Sequence, residues 1–141
     1  QETYKGHITD TPVYKDVMIE LVSEAYIDNI IFITEKAIRP MCAGLPAIYI
    51  GGQGYVHHLR KIGFKLYDNI IDHSYDREYD PWIRINKACM ELQSILDRHT
   101  PKEFFEATVA DTIHNQKLLK EKLLNKEPDE FLKRWIEKEV N

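Results

Sequence analysis

Short apolar runs alternate with helically spaced apolar positions over the first half of the chain. Residues 17–23 are rich in long and β-branched aliphatic side chains, which predicts a β-strand. Residues 46–50 are apolar without polar alternation, which is typical of a strand buried on both faces. Between the two runs, Thr34 has the position of a helix N-cap and Gly44 that of a helix stop. We therefore predict a helix between these two residues, kinked or shortened by Pro40.

After residue 50 the chain passes through a glycine cluster, and the apolar spacing then becomes helical. One face of the predicted helix carries Tyr55, Val56, Leu59 and Ile62. Gly63 is the predicted helix stop, a short strand is expected at 64–67, and an acidic, turn-rich segment follows at 68–80. The order strand, helix, strand, glycine turn and helix predicts a parallel α/β sheet.

The second half of the chain has helical patterns alone. Pro81 opens a helix that runs to about Arg98, and Thr100 with Pro101 caps another. The apolar stripe of this second helix consists of Phe105, Val109, Ile113, Gln116, Leu119 and Leu123. We expect the stripe to pack in the core or against another helix. Residues 127–129 interrupt the pattern before a last amphipathic helix.

These patterns predict an α/β protein in two parts. Residues 1–98 are expected to form a Rossmann-like parallel sheet with flanking helices, and residues 99–141 a helical C-terminal extension. Of the 141 residues 43% are apolar, which is enough for a core, and no apolar run approaches the roughly 20 residues of a membrane span. Cys42 and Cys89 lack metal-ligand spacing, so we expect two buried thiols in a reducing cytoplasm, without a membrane span.

The distribution of charge is more informative than its sum of −4, which argues against a general nucleic-acid coat. Residues 31–67 carry a net charge of +4, and they lie between two acidic segments, 1–30 and 68–80, each of −4. The basic segment coincides with the glycine-rich part of the chain. This placement fits a small phosphate-bearing ligand better than a long polyanion, although a chance fluctuation of surface charge accounts for it equally well.

Two segments have the features of anion sites at helix starts. Thr34-Glu35-Lys36 begins the first predicted helix, and Arg39 follows one turn later, so a positive helix end is combined with two full charges. Gly51-Gly52-Gln53-Gly54 lies between a buried strand and a helix, where glycines let a diphosphate approach the backbone. The glycine cluster matches neither the dinucleotide nor the Walker pattern, and a plain tight turn is the alternative.

Three further groups of residues have a functional and a simpler interpretation. His57 and His58 could reach a phosphate or be ordinary helix-surface residues. An acidic set, Asp72, Asp76 and Asp80, suggests a metal site or an edge of an acceptor cleft, but a solvated acidic loop explains it as well, since the spacing is not that of an EF-hand. An aromatic set, Tyr75, Tyr79 and Trp82, could line a sugar site or pack under a loop.

A resemblance to a known family extends over about residues 17–117. The stretches that carry it are Ser23-Glu24-Ala25, Thr34-Glu35-Lys36, Arg39-Pro40, Gly44-Leu45-Pro46 and Gly51-Gly52-Gln53-Gly54. This ordered set resembles the donor-binding half of a GT-B glycosyltransferase. More narrowly, it is similar to phage and bacterial glycosyltransferase-like proteins with a "TEK…P…GLP" signature, which are related to fucosyltransferases. An acidic residue precedes the "TEK" helix in that group, as Glu24 does here.

The resemblance implies a role for each matched residue. Glu35 would contact the ribose or base of a nucleotide sugar, and Lys36 would meet the diphosphate and act in catalysis. Arg39 would add a second charge, with Thr34 and the glycines Gly51, Gly52 and Gly54 completing the donor site. Glu24 would orient the donor sugar, or it caps a neighbouring loop. The fold usually needs no metal, so none is expected, and Ala37-Ile38 replaces the aromatic residue that usually follows "TEK".

Two functions therefore remain open. The first is the donor-binding part of a glycosyltransferase, which moves a sugar from a nucleotide diphosphate to an acceptor hydroxyl on a glycan, a protein or a modified DNA base. It needs no cofactor beyond the donor, and it would be incomplete without an N-terminal acceptor domain. The second is a non-catalytic nucleotide-binding or assembly module that forms a homodimer through its helical tail.

Overall fold

A computed structural model describes residues 16–25, 27, 28 and 30–125, with the backbone alone described at 123–125. The elements are β1 (Glu20–Ser23), α1 (Glu35–Ala43), β2 (Ala47–Ile50), α2 (Tyr55–Ile62), a 3₁₀-helix (Ser74–Arg77), α3 (Pro81–Arg98) and α4 (Pro101–Asn125). The two strands pair in parallel, from Glu20 opposite Ala47 to Ser23 opposite Ile50. The described chain is thus an α/β structure with a small parallel sheet and four α-helices. The predicted last helix lies outside the described residues.

The ends of α1 form as the local sequence predicts. The Thr34 hydroxyl accepts a hydrogen bond from the Lys36 N–H at 3.2 Å, so Thr34 is the N-cap. Gly44 ends the helix in the left-handed conformation at φ 71°, and its N–H donates to the Met41 carbonyl. Pro40 is tolerated inside the helix, which continues through it to Ala43.

The core lies around β2, which is buried on both faces as its unbroken apolar run predicts. Each of its four residues is at most 2% exposed. The residues packed around it include Ile38 and Met41 of α1, Leu59 of α2, and Phe104 and Leu119 of α4. Residues on both sides of the boundary predicted at 98/99 therefore contribute to one core.

The strand predicted at 64–67 is wrong, because this segment bonds to side chains of α4 and not to a neighbouring strand. Asn115 accepts from the Lys65 N–H at 2.9 Å and donates to the Lys65 carbonyl at 2.8 Å. Asp111 accepts from the N–H of Tyr67, which has a φ of 62°. The side chains thus satisfy the backbone groups that a sheet would otherwise pair.

The inner face of α4 also differs from the predicted stripe. Among the described side chains of this helix, the fully buried ones are Phe104, Thr108, Asn115 and Leu119, and of these Leu119 belongs to the predicted stripe. Of the predicted stripe, Phe105 is 64% exposed and Ile113 is 57% exposed. Relative to the predicted orientation, the buried face of the helix is shifted by about one residue. Polar side chains on this face bond to the backbone, and a search for periodic apolar residues does not detect such positions.

We expect Asn115→Ala to lower the free energy of unfolding by about 2–3 kcal/mol, because it leaves the Lys65 N–H and carbonyl without their partner. Urea denaturation followed by circular dichroism measures this value. Asn86→Ala, at an exposed position of α3, is the matched control and should change stability by less than about 0.5 kcal/mol. Equal effects of the two substitutions would contradict the role given to Asn115.

Candidate functional site

The carboxyl ends of the two strands meet at one edge of the sheet. Ser23 is in register with Ile50, and the Glu24 N–H donates to the Ile50 carbonyl at 2.9 Å. Loops that lead to helix N-termini leave this edge, which is where ligands bind in open parallel sheets. We call this place the strand-end site; it consists of Glu24, Thr34, Glu35, Lys36, Gly51, Gly52, Gly54 and Tyr55.

Glu24 is the centre of the strand-end site and is only 4% exposed. Its carboxylate accepts from the Thr34 N–H at 3.1 Å, from the Thr34 hydroxyl at 2.6 Å and from the Tyr55 hydroxyl at 2.7 Å. Burial and this hydrogen bond raise the pKa of Tyr55, so its hydroxyl stays protonated and donates. The expectation that Glu24 caps a neighbouring loop is confirmed, while a contact with a donor sugar stays a prediction.

The two predicted cations of α1 are both exposed but differ in their surroundings. Lys36 lies in the first turn, next to the Thr34 cap and the strand ends. Arg39 lies further along the helix, where its charge acts on Glu20 at the start of β1. Burial raises the pKa of Glu20, and Arg39 opposes that effect. Lys36 is therefore the cation closer to the strand-end site, with the half-buried Glu35 beside it.

The glycines of the GGQG turn are required by packing within the chain itself. A side chain at Gly51 would run into the ring of Tyr55, and a Cβ at Gly52 would lie 2.6 Å from the carbonyl oxygens of Asp28 and Ile30. Gly54 has a φ of 82°, which favours glycine. These contacts account for the turn without a ligand, so a phosphate contact by the three glycines stays a prediction.

The N-terminus of α2 is capped by a carboxylate from a distant part of the chain. Asp76 is 4% exposed, and its oxygens accept from the Val56 and His57 N–H groups at 3.0 and 3.1 Å. Its backbone carbonyl also accepts from the Gly54 N–H. The Val56 and His57 N–H groups of α2 are thus already bonded to a carboxylate. At the start of α1 the Glu24 carboxylate bonds to Thr34 alone, and the Lys36 N–H bonds to the neutral Thr34 hydroxyl.

The other two members of the acidic set, Asp72 and Asp80, have similar capping roles. Asp80 is the N-cap of α3 and accepts from the Trp82 and Ile83 N–H groups, while Asp72 accepts from the Ser74 N–H. The three acids of the predicted acidic set therefore stabilise three separate turns. Within the described ranges, no three His, Cys, Asp or Glu side chains are placed to hold a metal ion.

Arg84 belongs to the edge of the sheet and was not identified from the sequence. It is 1% exposed, and its guanidinium donates to the carbonyls of Gly51, Glu78, Tyr79 and Ile27. The loops after both strands are thus tied to the start of α3. The sequence does contain an indication of this role: Arg84 lies on the same face of α3 as the buried residues Ala88 and Ile95, and a charged residue is unusual on such an apolar face.

The other residues that the sequence analysis singled out differ in how far their side chains are exposed. Tyr75 is buried and donates to the Tyr49 carbonyl, as packing under a loop predicts, but Trp82 is 75% exposed and Tyr79 is 68% exposed. His57 and His58 are both exposed. Cys42 is half-buried, and the expectation of burial is wrong for Cys89, which is exposed on α3.

An open pocket of about 580 Å³ lies beyond the GGQG turn, between α2 and the 3₁₀-helix. We call it the α2 pocket; its lining includes Gln53, His57, Arg60, Asp72, His73 and Arg77. The His73 side chain is 4% exposed, and its Nδ1 lies 2.9 Å from Asp68 Oδ1. Arg60 donates to both oxygens of the same carboxylate, at 3.1 and 2.6 Å. These three residues form a chain of charged and polar contacts along the pocket.

Comparison with protein-family models, with curated proteins and with solved structures finds no match for this chain. In the part of the chain that the structure describes, no helix is both long enough and apolar enough to cross a membrane.

We expect Glu24→Gln to lower the free energy of unfolding by about 2–3 kcal/mol, because an amide can accept only at its oxygen and turns an NH₂ group toward a donor. Thermal denaturation measures the loss. Glu121→Gln, at an exposed position of α4, is the control and should leave stability unchanged. A Glu24 variant as stable as the control would show that the carboxylate is not needed to hold the site.

The pH dependence of stability should reveal His73. Burial lowers the pKa of His73, so below its ordinary value of 6.5 the unfolded chain takes up the proton before the folded chain does. Stability should therefore fall as the pH falls from about 6.5 toward that lowered pKa. His73→Gln should flatten this part of the profile, and His58→Gln, at an exposed position, should not. Urea denaturation at a series of pH values tests this; parallel profiles of wild type and His73→Gln would refute it.

Proposed function

We propose that this chain is the donor-binding part of a glycosyltransferase that transfers a sugar from a nucleotide diphosphate to an acceptor hydroxyl. The observation that supports this best is the placement of exposed Lys36 in the first turn of a capped helix, at the edge where both parallel strands end. Buried Glu24 holds that helix start in place. Such an edge, with a cation at a helix N-terminus, is suited to a diphosphate.

In this proposal different residues of α1 contact different parts of the nucleotide-sugar donor. The Glu35 carboxylate accepts hydrogen bonds from vicinal ribose hydroxyls, and the Lys36 ammonium stabilises the negative charge that develops on the departing diphosphate. Arg39 adds a weaker, longer-range charge, since it also acts on Glu20. We prefer the start of α1 as the phosphate position because Asp76 accepts from the N–H groups in the first turn of α2, whereas the first turn of α1 carries the exposed Lys36.

The acceptor hydroxyl and the base that deprotonates it are assigned to another domain or chain. We propose a cytoplasmic location, where nucleotide sugars are accessible to the protein and where cysteines are kept reduced. The acceptor is a glycan, a protein or a modified DNA base in this proposal.

A second candidate is a nucleotide-binding or assembly module without transfer activity. It is favoured by two large apolar side chains on the outer side of α4, Phe105 and Ile113, which are 64% and 57% exposed. Exposed apolar residues on one long helix are a usual feature of a helix interface. Both candidates predict nucleotide binding, and only the first predicts that a sugar is transferred or hydrolysed.

Calorimetry with UDP, GDP and their sugars tests the donor site. Lys36→Ala should weaken binding about tenfold or more, because a charged hydrogen bond to the diphosphate is lost, and Glu35→Ala should weaken it to a similar degree. Lys61→Ala removes a positive charge from the last turn of α2 and is the matched control, with unchanged affinity expected.

The donor-site assignment is refuted if the wild type, Lys36→Ala and Glu35→Ala bind with equal affinity, or if none of them binds. Binding without transfer or hydrolysis, when the chain is supplied with its acceptor domain, would favour the assembly module.

A further inference from the structure

The α2 pocket contains a buried ring nitrogen that lacks a partner. His73 lines the pocket, and its Nε2 is buried and has no hydrogen-bond partner among the described residues. The opposite ring nitrogen, Nδ1, is held by Asp68. A buried polar atom of this kind is expected to bond to something that enters from the pocket, since leaving it unsatisfied is unfavourable.

The neighbours of His73 define what can bond to Nε2. The hydrogen bonds from Arg60 hold the pKa of Asp68 below its ordinary value, so that carboxylate is an acceptor alone and His73 Nδ1 must carry a proton. Burial lowers the pKa of His73, so the ring is neutral near pH 7. It follows that Nε2 is an acceptor and that its missing partner is a donor, such as a hydroxyl group.

The charges of the lining residues balance. The lining includes two guanidinium groups, of Arg60 and Arg77, and two carboxylates, of Asp72 and Asp76. A fully ionised phosphate ester offers no donor to Nε2, and any phosphate, inorganic phosphate included, gains little from a lining without net charge. A neutral molecule with several hydroxyl groups can instead donate to His73 and Asp72 and accept from Arg77.

We propose that the α2 pocket binds a neutral saccharide, one of whose hydroxyl groups donates to His73 Nε2. The pocket has its own lining residues and does not include Lys36 or Glu35, so this site is independent of the proposed donor site. The saccharide site is proposed for the chain whether it is part of a glycosyltransferase or a binding module.

The test is a long-range ¹H–¹⁵N spectrum of the histidine rings in the full ¹⁵N-labelled chain. D-glucose, D-galactose and N-acetyl-D-glucosamine are titrated separately near pH 7.5, to about 50 mM, since single saccharides often bind in the millimolar range. At least one should shift the His73 Nε2 signal in a saturable manner, while inorganic phosphate should not.

Variants make the assignment specific. Arg77→Ala, at an exposed position, should weaken the binding of that saccharide about tenfold, and Lys61→Ala should not change it. His73→Phe should abolish it; if that variant does not fold, Arg77→Ala decides the question. Three results would overturn the proposal. The His73 signal responds to no sugar, which would show that Nε2 bonds only to a buried water; it responds to phosphate alone; or Arg77→Ala binds the saccharide with the affinity of the wild type.

Discussion

The carboxylate of Glu24 is the contact on which the strand-end site depends. It follows β1 directly, and its hydrogen bonds reach the cap of α1 and the first residue of α2. Because the carboxylate is buried, each of these bonds lies in a medium where an unpaired charge is very unfavourable. One side chain thus sets the relative position of a strand end and two helix starts, and the exposed Lys36 takes its place from that arrangement.

Two other buried charged residues, Asp76 and Arg84, also hold the loops and helix starts near the strand ends in place. Asp76 caps the start of α2, and Arg84 donates hydrogen bonds to backbone carbonyls of the loops after both strands. These groups serve the chain's own backbone, so they are unavailable to a ligand. The consequence is a difference between the two helix starts that the sequence pattern alone does not show. The start of α1 carries the exposed Lys36, and for that reason we propose the phosphate position there.

Local signals predicted the elements, while contacts between distant residues could not be predicted. Thr34 and Gly44 define α1 through bonds to near neighbours, and such bonds are encoded within a few residues. Residues 64–67 have the composition of a strand, but their partner is Asn115, fifty positions away, which no local pattern reveals. Capping by Asp76 is equally remote in sequence. The local caps of α1 were thus predictable, and the long-range contacts of Asn115 and Asp76 were not.

The most direct test of the account is an amide ¹H–¹⁵N spectrum of the chain titrated with UDP or GDP, because it locates the diphosphate on one helix start or the other. The account predicts that the amides of Glu35 and Lys36 shift most, and that those of Val56 and His57 stay bonded to Asp76 and move little. Large shifts at Val56 and His57 with none at Lys36 would contradict it.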